Sequence, residues 1–214
     1  MNPFTIVAHR GGKGPYKENT LQAFQHAIDY GADAVEMDMR FDHYKQRFYL
    51  EHDFLHWPSD RKNTIEKVIP YLVGKTFFVI ELKTLSWVRK KYALKFLEAV
   101  KKYDLMPRSL MISYNPFILL QLRKFSSGIQ LGFICPSFFR WNLFKKWILG
   151  VVRPQYVLLH QRMLKKSVIH FARQRGLKIL SYTMNNDEEW LMARKLEVDG
   201  IITDFPQEAR RVLE

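Results

Sequence analysis

Three carboxylates and two imidazoles stand where short apolar runs give way to polar residues. DAV leads into Glu36-Met37-Asp38, FFVI into Glu81-Leu82-Lys83, IVA into His9-Arg10, and FYL into Glu51-His52-Asp53. If these runs are strands, Glu36 and Asp38 at i and i+2 share one face, about 6.5–7 Å apart along the strand. Val35 and Met37 then face the other way. Two carboxylates on one face repel each other unless a cation lies between them or one is protonated. Glu81 would add a third oxygen donor. An all-oxygen set suits a hard divalent ion, Mg²⁺ or Ca²⁺, completed by water and substrate oxygens. For any one of these carboxylates a salt bridge to Lys or Arg is the simpler explanation; three together at strand ends favour the metal.

His9 and His52 bring what such a centre would need. Hydrolysis at such a centre requires a nucleophile to lose a proton and a leaving group to gain one, and imidazole does both near neutrality. A single histidine is more often a cap or a surface residue, but two at neighbouring strand ends, flanking the acidic trio, point to acid–base work. His26, His43, His56, His160 and His170 read as surface or core residues, although His160 also ends an apolar run. Arg10 and Lys83 carry positive charge for a phosphate. Lys83 is i+2 from Glu81 and shares its face, where a lysine is costly unless it meets carboxylate or phosphate. Glu18, just ahead of an Asn19-Thr20 cap, serves either the helix dipole or a substrate hydroxyl.

Holding these side chains at one rim takes a particular architecture. The apolar runs are Phe4–Ala8, Ala34–Met39, Phe48–Leu50, Phe77–Leu82, Leu110–Ser113, Ile129–Ile134, Tyr156–Leu159, Lys178–Tyr182 and Gly200–Thr203, mostly β-branched or aromatic. Helical patterns lie between them. The first is capped by Asn19-Thr20 and stopped by Gly31, the next begins at Thr64, and a basic helix runs from Ser86 towards Tyr103. Others start near Pro116, Phe138, Lys165, Asn186 and Pro206. Buried parallel strands alternating with amphipathic helices predict right-handed βαβ units. About eight of them close a (β/α)8 TIM-type barrel, in which catalytic groups sit at the C-terminal strand ends. Ser113, Ser181-Tyr182-Thr183 and Thr203-Asp204 end three further runs and would join the same mouth. A flat doubly wound α/β sheet is the alternative, but no G-x-G-x-x-G follows the first strand.

The 214 residues suit one domain, 1–214, without linker or repeat. With 47% hydrophobic and 26% charged residues, composition excludes disorder. Thirty-four Lys+Arg against 21 Asp+Glu give a net charge of +13, a field that draws phosphates, anionic lipid or nucleic acid without choosing among them. The lone Cys135 rules out an internal disulfide and a thiolate metal site. No signal-peptide pattern opens the chain and no apolar stretch is long enough to span a bilayer. A cytoplasmic protein, at most peripheral to a membrane, is expected.

HRGGKGPYKENTLQAFQHAIDYGADAVEMDM, followed in order by LEHD, FFVIELK and SYTMNN…EVDGIITDFP, resembles the glycerophosphodiester phosphodiesterase family across nearly the whole chain. The resemblance implies a TIM-type barrel that hydrolyses a small-molecule phosphodiester to glycerol 3-phosphate and an alcohol. It implies His9 and His52 as the general acid/base pair, Glu36, Asp38 and Glu81 as divalent-metal ligands, and Arg10 and Lys83 as phosphate contacts. Two features depart from the family. Most members carry an Arg-Thr-Thr-Gly-like stretch and a small inserted subdomain after the histidine-aspartate motif. Here eleven residues, Asp53 to Asn63, separate His52 from Thr64. This reduced insertion after the second strand would open the mouth to a bulkier diester. The late-strand aromatic, usually tryptophan, is Tyr182, which would still stack on glycerol carbons.

Two other functions compete. In ICPSFFRWNLFKKWILGVVRP, the aromatics Phe138, Phe139, Trp141, Phe144 and Trp147 mix with Arg140, Lys145 and Lys146, as in an interfacial helix. That would favour a lysophospholipase D-like hydrolase acting on lipid-bearing diesters at an anionic membrane surface. An outer barrel helix packing its aromatics on the sheet accounts for the same pattern. The basic charge would also suit a nucleic-acid or membrane-binding module. A phosphate-binding face would not centre on Glu36, Asp38 and Glu81 without a metal, so no specific nucleic acid is expected.

Overall fold

The computed structural model describes residues 4–53, 63–84, 90–135 and 148–214. The strands are β1 (Thr5–Ala8), β2 (Ala34–Asp42), β3 (Arg47–Leu50), β4 (Phe77–Leu82), β5 (Ser109–Ser113), β6 (Leu131–Cys135), β7 (Tyr156–His160), β8 (Lys178–Tyr182) and β9 (Gly200–Thr203). All but β3 pair in parallel in the order β1-β9-β8-β7-β6-β5-β4-β2. The pairing of β1 with β2, Val7 opposite Ala34 and Ala8 opposite Val35, closes the ring into the expected barrel.

The period-2 alternation of each strand divides the apolar residues into two cores. Val7, Ala34, Val79, Leu110, Ile112, Ile134, Leu158, Leu180 and Ile202 fill the barrel interior. Their neighbours, among them Ile6, Ala8, Val35, Met37, Phe78 and Ile80, pack outward with helix residues such as Phe24, Ile69, Phe96, Leu119 and Ala193. Val35 and Met37 therefore do face the helices, which turns Glu36 and Asp38 inward.

The helices are α1 (Leu21–Asp29), α2 (Ile65–Leu72), α3 (Lys90–Lys102), α4 (Pro116–Phe125), α5 (Lys166–Arg173), α6 (Asp187–Lys195) and α7 (Pro206–Leu213). Their starts follow from local chemistry. The Thr20 hydroxyl accepts from Ala23 N–H at 3.2 Å, Asn115 accepts from Phe117 N–H beside Pro116, and Asn186 accepts from Glu189 N–H at 3.0 Å. Each satisfies a donor that the first helical turn leaves free. The expected helix starts at Ser86 and Phe138, the aromatic-basic stretch 138–147 and His56 lie outside the described residues.

One strand differs from expectation. FYL has the composition of a barrel strand, yet β3 runs antiparallel to the extended end of β2, Met39 opposite Leu50 and Asp42 opposite Arg47. Only four residues, 43–46, join them. A parallel neighbour needs a crossover of a dozen or more residues, so a link this short permits only a hairpin. Asp42 Oδ1 closes the hairpin by accepting from Tyr44 and Lys45 N–H at 2.9 and 3.1 Å. β3 thus descends onto the rim from above and delivers Glu51-His52-Asp53 to the mouth.

Candidate active site

Glu36 and Asp38 on β2 and Glu81 on β4 converge inside the mouth, with Asp38 in register with Glu81 across the strand pair. One carboxylate oxygen from each lies within 4.8 Å of the others, and all three residues are buried. Lys83 Nζ sits 3.1 Å from Asp38 Oδ1 and 2.8 Å from Glu81 Oε1. Arg10 Nε is 3.0 Å from Asp38 Oδ2, and its backbone N–H donates to Glu36 Oε2 at 3.0 Å. Its guanidinium is shared with Glu18, 3.1 Å from Nη1. Acid outweighs base in this cluster.

The imbalance falls on Glu36. Burial, and then the charges of Asp38 and Glu81, push its carboxyl well above the usual range. Burial also raises Glu81, assisted by Asp38 against the opposing pull of Lys83. Burial acts in the same direction on Asp38, but there Lys83, Arg10 and a hydrogen bond from Asn19 outweigh it and hold the carboxyl below its ordinary value. A carboxyl whose proton is favoured by burial and by two neighbouring anions is one from which a cation would displace that proton. The donors are all oxygen, and three at this spacing fit a hard divalent ion.

His9 follows β1 in a tight turn, His9–Gly11, that returns the chain towards Glu36. Arg10 there has φ of 54° and Gly11 of 90°. A Cβ on Gly11 would stand 2.8 Å from that of Ala23, so only glycine allows α1 to pack this close. His9 Nδ1 lies 2.6 Å from Asp204 Oδ1. Asp204 Oδ2 in turn accepts from Asn185 at 3.0 Å and pairs with Lys13 at 3.1 Å. Burial would raise Asp204, but His9 and Lys13 outweigh it and bring its carboxyl down to about 2. His52 Nδ1 lies 2.9 Å from Asp53 Oδ1. Arg40, buried on β2 itself, donates to Glu51 C=O at 2.9 Å and to His52 C=O, fixing the backbone that carries the imidazole.

His9, Arg10, Glu36, His52, Glu81, Lys83 and Tyr182 line one cavity of about 270 Å³ over an apolar floor of Ile112, Ile134, Leu158 and Ile202. Asp38 lies buried beside it, bound to Arg10 and Lys83. Glu18 lines an adjoining groove with Lys13 and Tyr16, where it holds Arg10. Tyr182 O–H donates to Cys135 C=O at 3.0 Å, which fixes the ring in the wall.

Residues that sequence patterns did not single out complete the site. Asn19 reads as part of a helix cap, but Thr20 does the capping. Asn19 instead donates to Asp38 Oδ2 and accepts from Asp38 N–H, both at 3.0 Å. Its φ of 57° is one that asparagine tolerates better than most residues. Asn19→Ala is expected to cost roughly 1–3 kcal/mol in urea unfolding, because it strands two polar groups of a buried strand. Asp204 is visible only as a polar strand end, and Asn185 and Arg40 carry no local signal. His160, expected at the surface or in the core, stands in the cavity wall.

The chain is similar to known proteins in sequence and in fold. A glycerophosphodiester phosphodiesterase of Caldanaerobacter subterraneus subsp. tengcongensis is 24% identical over 94% of both chains. A lysophospholipase D of Homo sapiens is 23% identical over 97% of this chain and 85% of its own. An Oleispira antarctica phosphodiesterase, solved in complex with the product sn-glycerol-3-phosphate, superposes with a TM-score of 0.82 at 19% identity, covering 98% of this chain and 96% of that one. A Thermotoga maritima glycerophosphodiester phosphodiesterase does so with a TM-score of 0.76 at 23% identity over 98% of both. The profile of the glycerophosphoryl diester phosphodiesterase family matches residues 9–41 and 81–208. The matched stretches hold His9, Arg10, Glu36, Asp38, Glu81 and Lys83, while the span between them contains the hairpin, His52 and the place of the reduced insertion. With the profile covering most of the barrel, the chain belongs to the glycerophosphoryl diester phosphodiesterase family and is an enzyme of that class.

Proposed function

We propose that the chain hydrolyses glycerophosphodiesters to glycerol 3-phosphate and an alcohol, with a divalent ion, Mg²⁺ or Ca²⁺, among Glu36, Asp38 and Glu81. The observation that carries this is a cluster of three buried carboxylates, two of them lining one cavity, with two imidazoles in the same lining, each anchored through Nδ1 by its own carboxylate. The product in the Oleispira antarctica neighbour supports the substrate class. When bound, the ion supplies positive charge to the phosphoryl oxygens as they gain charge. Arg10 and Lys83, already at the carboxylates, hold the phosphate beside them. With Nδ1 engaged, His9 and His52 each keep Nε2 for proton transfer. One takes the proton of the attacking hydroxyl and the other returns one to the departing alkoxide. Tyr182 offers its fixed ring to the glycerol carbons, and Glu18 steadies Arg10.

A second reading, a lipid-bearing diester, draws on the human lysophospholipase D relative and on exposed tyrosines Tyr16, Tyr44 and Tyr114 in loops at the mouth end of the barrel. Among the described residues no helix is long and apolar enough to cross a membrane, so such a substrate would be met at the membrane surface. Glycerophosphocholine, glycerophosphoethanolamine and lysophosphatidylcholine, each incubated with Mg²⁺, Ca²⁺ or EDTA, test both. Release of glycerol 3-phosphate from the small diesters, dependent on metal, is expected. Preference for lysophosphatidylcholine would move the assignment to the second reading, and no turnover of any diester with either metal would overturn both.

A further inference from the structure

His160 ends β7 and is not used in the chemistry above. In the ring of eight strands β7 stands four places from β2 in either direction, and β8 four places from β4. His160 and Tyr182 therefore face the carboxylates and Lys83 from the opposite wall, across the apolar floor. Their rings meet edge to face, centroids 5.8 Å apart at 85°. Arg162 N–H donates to His160 Nδ1 at 3.2 Å. A backbone N–H can only donate, so Nδ1 presents its lone pair and the neutral ring carries its proton on Nε2. No described residue accepts from that Nε2–H. Burial, and then the charge of Arg162, push the imidazole towards its neutral form, with Glu189 opposing.

A neutral donor on the wall away from the metal site does not compete for phosphate, but it is suited to a hydroxyl. We propose that His160 Nε2–H binds a free hydroxyl of the substrate's glycerol moiety and so selects glycerophosphodiesters over diesters that lack one. The proposal rests on the hydrolytic reading and adds a specificity residue to it. The phosphate, drawn to Arg10 and Lys83, directs the glycerol arm over the floor towards β7 and β8. There Tyr182 meets its carbons and His160 its hydroxyl.

Two substitutions separate recognition from a merely structural role. His160→Asn places an acceptor where Nδ1 was and keeps the bond from Arg162, but does not reach the position of Nε2. His160→Gln places an amide N–H near Nε2. For glycerophosphocholine, kcat/KM is expected to fall roughly tenfold in His160→Asn, the worth of one hydrogen bond, chiefly through KM, and to stay within about threefold in His160→Gln. Turnover of bis(p-nitrophenyl) phosphate, which has no hydroxyl, is expected to change less than about twofold in either. Rescue by asparagine and not glutamine, or equal losses on both substrates, would overturn the proposal. Calorimetry with glycerol 3-phosphate and ethyl phosphate keeps the two claims apart. If the wild type prefers glycerol 3-phosphate and His160→Asn removes the preference, His160 recognition stands even where no diester is turned over. If the wild type shows no preference, it falls even where hydrolysis is confirmed.

Discussion

His9→Ala and His52→Ala are each expected to lower kcat on glycerophosphocholine by about 10²–10⁴-fold, the usual loss for a positioned acid or base. The thermal midpoint should move by no more than a few degrees, since both side chains sit at the rim, 22% and 37% exposed. Removing His9 leaves Asp204 still held by Asn185 and Lys13, so no buried charge is orphaned. The two anchors differ. Asp204 is 14% exposed and Asp53 is 60% exposed, so salt should weaken the His52 tether first. Because Asp204 is held down to about 2, the stabilisation it contributes is complete above the ordinary carboxylate range. That stabilisation is lost only as pH falls towards 2. The Asp204 carboxylate that anchors His9 therefore persists at all pH above that range, and Asp204→Asn should impair turnover there. Near-wild-type kcat in either histidine variant would remove that residue from the acid–base pair.

What made the site legible was the two-residue period of barrel strands. Once DAVEMDM is a strand, Glu36 and Asp38 must share a face, and the only way to bury that face tolerably is around positive charge. Glu81, on β4, and Lys83, just past its end, repeat the pattern on the strand that pairs directly with β2. The hidden parts depend on distance along the chain or on backbone geometry. Asp204 meets His9 from 195 residues away, a contact set by closure of β9 against β1. Asn19 is drawn off its expected cap by a positive φ that no residue pattern reveals. FYL has the composition of a parallel barrel strand, but the four-residue link ahead of it decides its direction. His160 looked ordinary for want of its wall: only ring closure places β7 opposite β2.

Chelation by EDTA should reduce turnover by about 10³-fold or more, and Mg²⁺ or Ca²⁺ should restore it. The same cluster should govern how the metal-free protein responds to pH. Glu36 binds its proton more tightly in the fold than in the unfolded chain. The stabilisation from that proton is complete below the ordinary carboxylate range and is lost as pH rises through the raised value. Glu81 acts in the same direction. Asp38, held below its usual value, acts in the opposite one, but only at more acid pH. In chelator, Glu36→Gln should therefore unfold at a higher temperature than the wild type at pH 8, and the gap should shrink towards pH 5. A divalent ion bound as proposed would displace that proton, so its stabilisation of the wild type should be greater at pH 8 than at pH 5, about 2.7 kcal/mol at a hundred times Kd. Glu36→Gln should lose most of that gain and nearly all turnover. If metal raised the midpoint of wild type and Glu36→Gln equally at both pH values, the ion would have to bind elsewhere. Glu36 would then be a buried acid with no ligand role.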